Sequence, residues 1–298
     1  MTSSAPTDAR ATIDPLTSMG TVHLTVSDVE RSRTFYERVL GLRSSEQDGG
    51  EVALAREDDR TLVQLHGNSS APALDRRATG LFHLAVLLPT RLDLAFALAR
   101  LSASRWPLDG ASDHLVSEAL YLSDPDGNGI EIYRDRPREE WRVRDGQLEM
   151  ATLPLDLRDV AGELAAATEA QPHVPAGTRI GHVHLQVSEL AETERFYAGV
   201  LGFEVMVRGY PGALFVAAGG YHHHLGLNTW NSAGSGPPVP GAIGLRQYEI
   251  QVPDLAALDS VLARVEEQGI PIVAAEEMGP DGRSLRDPSG NAVVLRTA

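Results

Sequence analysis

Leu120-Tyr121-Leu122-Ser123-Asp124-Pro125-Asp126-Gly127-Asn128-Gly129-Ile130-Glu131 returns near the end of the chain as Ser284-Leu285-Arg286-Asp287-Pro288-Ser289-Gly290-Asn291-Ala292-Val293-Val294. Each copy has an Asp-Pro-x-Gly-Asn core between two apolar, alternating runs, the pattern of a tight turn joining two strands. One hairpin is therefore expected twice. The copies differ where it matters: Glu131 in the first stands where Val294 stands in the second. Valine is comfortable on a strand whose neighbours are core residues. Glutamate there costs several kcal/mol unless its carboxylate is paired or bound to a cation.

With 298 residues the chain has room for two domains, each with a full hydrophobic core. A composition of 42% hydrophobic and 22% charged residues is that of a soluble globular protein. The formal net charge of −15 argues against nucleic acid, whose phosphates need Lys/Arg patches, and against anionic membrane surfaces. No apolar run approaches the roughly 20 residues needed to span a bilayer. Residues 1–18 lack the basic start and apolar stretch of a secretory signal. They read as a disordered tail, and the protein is expected in the cytoplasm. There are no cysteines, so disulfides, thiolate metal sites and a cysteine nucleophile are excluded, and any metal must be held by His, Asp or Glu.

The opening of the chain repeats as well. Val22-His23-Leu24-Thr25-Val26-Ser27-Asp28, then Phe35-Tyr36 and Val39-Leu40-Gly41-Leu42, returns as Val183-His184-Leu185-Gln186-Val187-Ser188-Glu189, Phe196-Tyr197 and Val200-Leu201-Gly202-Phe203. Gly80 to Pro89 matches Gly244 to Pro253 in the same way, and each of these units ends in one of the two hairpins. A period-two strand opens each unit. A helical stretch follows, such as Asp28 to Leu40, with Asp28 as N-cap and Gly41 as the stop. Apolar strands separated by Gly-rich turns complete a βαβββ module. Four modules fit the chain, at 19–67, 80–134, 179–230 and 242–297. The first two form one unit (19–134) and the last two another (179–298). A connector, 135–178, carries an extended stretch near Gln147–Leu155 and a helix-like run from Asp159 to Glu169. The fold class expected is α+β, with the modules paired into two half-open barrels of mixed sheet.

These openings and hairpins resemble the vicinal-oxygen-chelate superfamily, which includes glyoxalase I, antibiotic-resistance proteins and type I extradiol dioxygenases. The resemblance covers nearly the whole chain after residue 18. Within the superfamily, Ala119 to Glu131, Gly181-His182-Val183-His184-Leu185 and Tyr221-His222-His223-His224-Leu225-Gly226-Leu227-Asn228 are similar to the catechol 2,3-dioxygenases of the bacillus type.

The resemblance implies metal ligands at fixed places: the first strand of each module and the last strand of one or both paired modules. The four first-strand places hold Thr21, His83, His182 and Gln247, and the last strands of modules two and four offer Glu131 and Val294. Modules two and three alone supply two histidines and a carboxylate, His83, His182 and Glu131. That set is a facial triad suited to Fe(II), with Mn(II) accepted by the same ligands. Module two should then face module three, leaving one with four. In the alternative, sequential pairing, His23 replaces Thr21. His184 occupies the matching place beside His182, which favours a shared packing role for His23 and His184.

By the same resemblance His223 is the acid-base residue, with His222 and His224 on the opposite face of the strand. Tyr121 and His114 orient the substrate, and His224 and Asn228 are assigned to substrate binding. The implied reaction is extradiol cleavage of a small aromatic diol, catechol or a substituted catechol, with O2 to a hydroxymuconic semialdehyde. Glyoxalase-like isomerisation or transfer, hydroquinone cleavage and non-catalytic small-molecule binding on the same fold are the alternatives. Exposed barrel edges would allow a homo-oligomer, which the sequence leaves open. Trp141 and Trp230 read as cover for core or interface, Glu276-Glu277 as a solvated turn, and Gly219-Gly220 lacks the strand-loop-helix setting of a phosphate-binding loop.

Overall fold

The computed structural model describes residues 12–144, 147–275 and 279–298; the Glu276-Glu277 pair lies outside them. Each expected module has the order βαβββ. The first comprises β1 (Ser18–Val26), α1 (Val29–Phe35), β2 (Arg43–Glu46), β3 (Val52–Ala55) and β4 (Thr61–Gly67). The second comprises β5 (Gly80–Leu88), α2 (Arg91–Ser104), β6 (Gly110–Asp113), β7 (Ser117–Ser123) and β8 (Gly129–Asp135). The connector holds β9 (Val143–Arg144), β10 (Gln147–Leu148), β11 (Leu153–Pro154) and α3 (Leu157–Gly162). Then come β12 (Arg179–Gln186), α4 (Leu190–Glu194), β13 (Glu204–Val207), β14 (Ala213–Ala217) and β15 (Leu225–Asn228). The last module has β16 (Gly244–Val252), α5 (Leu255–Glu267), β17 (Val273–Ala274), β18 (Arg283–Arg286) and β19 (Ala292–Thr297).

Local signals explain the boundaries. The Asp28 side chain accepts the N–H of Arg31, and the helix continues through a π-helical turn to Leu40 before stopping at Gly41, whose φ of 81° suits glycine. In the connector the helix starts before the expected Asp159, because Asp156 accepts the N–H groups of Arg158 and Asp159. Part of the stretch expected as a tail is packed on the fold. Ile13 is buried and donates its backbone N–H to the carbonyl of Gly202, so burial of an apolar side chain holds this stretch on module three.

Two mixed sheets result, in the order β17-β18-β19-β16-β1-β4-β3-β2 and β11-β6-β7-β8-β5-β12-β15-β14-β13. Module one thus joins module four through antiparallel β1 and β16, and module two joins module three through antiparallel β5 and β12. Modules consecutive in the chain are tied differently. Tyr36, from the Phe-Tyr pair of module one, donates to Asp124 in the hairpin of module two at 3.3 Å, and Tyr197 donates to Asp287 at 3.0 Å. Each Asp also accepts backbone N–H groups of its own turn and the side chain of the turn's Asn. One repeated Asp therefore closes a hairpin and fastens a neighbouring helix.

Candidate metal centre

Four adjacent strands of the nine-stranded sheet carry the site. Across β7, β8, β5 and β12 the register places Tyr121, Glu131, Ala85 and His182 in one row. Ala85 is the small member, and its missing bulk leaves a gap over the middle of the sheet. His83, two residues before Ala85, shares that face. Glu131 and His182 converge with it above the gap.

His83 Nε2 lies 3.0 Å and His182 Nε2 3.1 Å from Glu131 Oε2, and the two nitrogens are 3.3 Å apart. All three residues are buried. Metal–ligand bonds of about 2.1 Å at right angles put neighbouring ligand atoms roughly 3 Å apart. The triangle has the size of one face of such an octahedron, so these residues fit a divalent cation. Their protonation fits as well. Burial alone pushes the Glu131 carboxyl up, but His182 and His83 outweigh it and hold the group well below the usual carboxylate range. Burial pushes the pKa of His182 down, against the pull of Glu131. An ionised carboxylate and a neutral imidazole are the forms that ligate. His83, Glu131 and His182 form the only such cluster of metal-ligating groups among the described residues.

A cavity of about 280 Å³ opens over the triangle, reaching His83 and Glu131 and walled by Phe82, Phe215, Tyr210, Met150 and Trp230. His114, Tyr121 and His223 also line it. His114 Nδ1 is 2.6 Å from the carbonyl of Ala151, so Nδ1 carries the hydrogen and Nε2 accepts from Tyr121 Oη, also at 2.6 Å. The His223 tautomer is fixed in the same way. His222 Nε2 lies 2.9 Å from Asp135 Oδ1 and donates to it, leaving His222 Nδ1 as an acceptor. His223 Nδ1, 2.8 Å away, must donate to that nitrogen. The free lone pair of His223 is then on Nε2, on a ring 4.1 Å from that of His182, centroid to centroid. Burial and the neighbouring histidines hold its pKa well below the usual value, so the ring is a neutral base.

The structure thus gathers His83, Glu131, His223, Tyr121 and His114 around one cavity, with His182 buried behind it against His83 and Glu131. His224 and Asn228 are not brought to it. His224 turns to the other side, where its Nδ1 accepts the N–H of Ala218, and Asn228 is fully buried with its Oδ1 on the N–H of Trp230. Sequence reading overlooked Asp135, although it lies four residues after Glu131 and so shares its face of β8. It also overlooked the cavity walls. Trp230, read as cover, stands at the cavity, and Trp141 packs against Tyr221 and His222. His184 packs edge-on to His83 and Phe82, and Gly226 beside it on β15 has no side chain to obstruct the ring.

The family model of the Glyoxalase/Bleomycin resistance protein/Dioxygenase superfamily matches residues 16–132 and 179–295. A catechol-2,3-dioxygenase of Bacillus subtilis is 43% identical over 282 residues, spanning 93% of this chain and 96% of that protein. Among solved structures, a candidate dioxygenase from Bacillus subtilis superposes with a TM-score of 0.65 at 13% identity, covering 96% of this chain and 86% of the other. Glyoxalase I from Zea mays superposes with a TM-score of 0.56 at 17% identity, covering 94% and 92%. At these identities the two structures show a shared fold. Two module pairs, one of them retaining a ligand triangle, and a match over both halves of the sequence lead to one conclusion: the chain belongs to the glyoxalase/bleomycin resistance protein/dioxygenase superfamily.

Proposed function

We propose that this protein is a non-haem Fe(II) extradiol dioxygenase that opens the ring of catechol, or a substituted catechol, with O2 to give a hydroxymuconic semialdehyde. The observation that carries the reading is the triangle of His83, His182 and Glu131 beneath an aromatic-walled cavity that also holds a neutral histidine base. The similarity to a catechol-2,3-dioxygenase over nearly the whole chain supports it. His83, His182 and Glu131 would hold the iron, which when bound supplies a Lewis acid and a redox centre for the diol and O2. His223 Nε2 would take a hydroxyl proton from the diol and return it later. Asp135, through His222, fixes that tautomer and stabilises the imidazolium. Tyr121, with its hydroxyl hydrogen given to His114, presents oxygen lone pairs to the cavity and so can receive a substrate hydroxyl. Phe82, Phe215 and Trp230 offer faces and edges against which a flat ring stacks.

Glyoxalase-like chemistry is disfavoured, because no fourth His, Asp or Glu joins the cluster among the described residues. Protein loaded with Fe(II) under air should consume oxygen and yield a yellow ring-opened product from catechol. Absence of oxygen uptake with catechol and its alkyl derivatives, in protein shown to contain iron, would refute the assignment.

A further inference from the structure

The eight-stranded sheet has a cavity of its own, of about 400 Å³, where β1 and β4 begin. Val63 lies opposite Val22 as Leu225 lies opposite Val183, so Arg60, three residues before, occupies the place of His222. Val293 lies opposite Tyr248 as Ile130 lies opposite Leu84, so Arg296 occupies the place of Tyr133. In the nine-stranded sheet these places hold rings that fill the end: Tyr133 and His222 are fully buried, and the Tyr133 and Tyr221 hydroxyls are hydrogen-bonded at 2.8 Å. In the eight-stranded sheet they hold guanidinium groups around an opening, joined there by Arg56 and Arg179.

The local charge opposes that of the whole chain. Four of 26 basic residues line this one cavity in a protein of formal net charge −15. The single carboxylate among them, Glu249, is already engaged by the N–H of Thr21 at 3.2 Å and the Gln251 side chain at 3.0 Å, with Arg296 at 3.8 Å. Arg56 is committed to Asp58 and to the carbonyl of Thr178. Arg60 gives one N–H to Gln251, and Arg296 gives one to the carbonyl of Thr297. Arg179 makes no side-chain hydrogen bond or ion pair among the described residues. Most N–H donors of Arg60, Arg179 and Arg296 are therefore unspent. Paired guanidinium donors match the oxygens of phosphate and carboxylate, and a cleft lined by one sign of charge concentrates the opposite ion.

We propose that this cavity binds a small oxyanion, a phosphate ester or a polycarboxylate, through Arg60, Arg179 and Arg296. The site is distinct from the His83, Glu131 and His182 cluster and needs no metal. Titration calorimetry with inorganic phosphate and with citrate, at an ionic strength fixed by NaCl, tests it on the wild type and on Arg60→Gln and Arg179→Gln. Saturable binding is expected in the wild type, weakened roughly ten-fold or more by either substitution, as loss of a charged hydrogen bond requires. A preference for phosphate identifies the phosphate-ester class, and a preference for citrate the polycarboxylate class. Arg179 is exposed and unpartnered, so its removal should leave the unfolding midpoint and the metal content unchanged. No saturable binding of either anion, or binding equally strong in both variants, would overturn the proposal.

Discussion

His224 gives a pH signature separable from the metal site. Its Nδ1 accepts the backbone N–H of Ala218 at 3.1 Å, which requires an unprotonated nitrogen. Burial, then the neighbouring His222 and His182, lowers its pKa from 6.5 to about 3. The unfolded chain therefore binds this proton more tightly than the folded one. The stability involved is complete above pH 6.5 and is lost as pH falls toward 3. One pKa unit corresponds to about 1.4 kcal/mol, so pH 5, roughly 1.5 units below the unfolded value, removes about 2 kcal/mol. The ring is partly exposed, so solvent screening makes this an upper figure. His224→Asn keeps an acceptor where Nδ1 was and abolishes the titration. In urea unfolding of chelator-treated protein, followed by circular dichroism at pH 7, 6 and 5, the two proteins should lie within about 1 kcal/mol at pH 7. By pH 5 the variant should have gained up to about 2 kcal/mol on the wild type. A difference that does not change between pH 7 and pH 5 would show that His224 takes up no extra proton on unfolding.

Other substitutions probe the remaining links. His223→Ala should lower kcat by roughly 10²- to 10⁴-fold, measured as oxygen uptake, while iron content stays at the wild-type level; loss of iron would make His223 a ligand instead. Asp135→Ala removes the acceptor of the His222 Nε2–H and should cost roughly 10- to 100-fold in kcat with KM little changed, and full activity would exclude the Asp135–His222–His223 chain. Gly181→Ala places a methyl group against the Tyr133 hydroxyl and Leu87, so its urea midpoint should fall by the equivalent of about 1–3 kcal/mol; an unchanged midpoint would show that this end of the sheet is not tightly packed.

Much of this was legible in the chain because it was written twice. The paired hairpins, the Phe-Tyr pairs and the Gly41 stop are local signals, and the strands and helices of the modules formed where they indicated. The joining of module two to three was what the resemblance implied, since only those modules hold His83, His182 and Glu131 at its ligand places, and β5 does pair with β12. Alternation was the wrong guide to the three histidines: they lie in a bend before β15 and not on the strand, where His222 and His223 meet through their Nδ1 atoms at 2.8 Å and His224 turns away to the N–H of Ala218. What remained hidden was set by tertiary crossings. Asp135 meets His222 only once β8 and the turn before β15 are brought together across β5 and β12. Trp230 reaches the cavity by folding back over Phe82 and His184. Asn228 sits on the strand beside the site, but turning its carbonyl oxygen to the N–H of Trp230 takes it out of the cavity. The role of Ala85 was invisible for a simpler reason: its contribution is the space it leaves.

The central claim is that Glu131 completes a metal site with His83 and His182, and that Val294 marks the sheet without one. Elemental analysis of wild-type protein and Glu131→Val, both purified after iron supplementation and both checked for native circular dichroism, tests it directly. The account predicts stoichiometric iron in the wild type and its loss in the variant. Iron retained at wild-type stoichiometry by a folded Glu131→Val protein would contradict it.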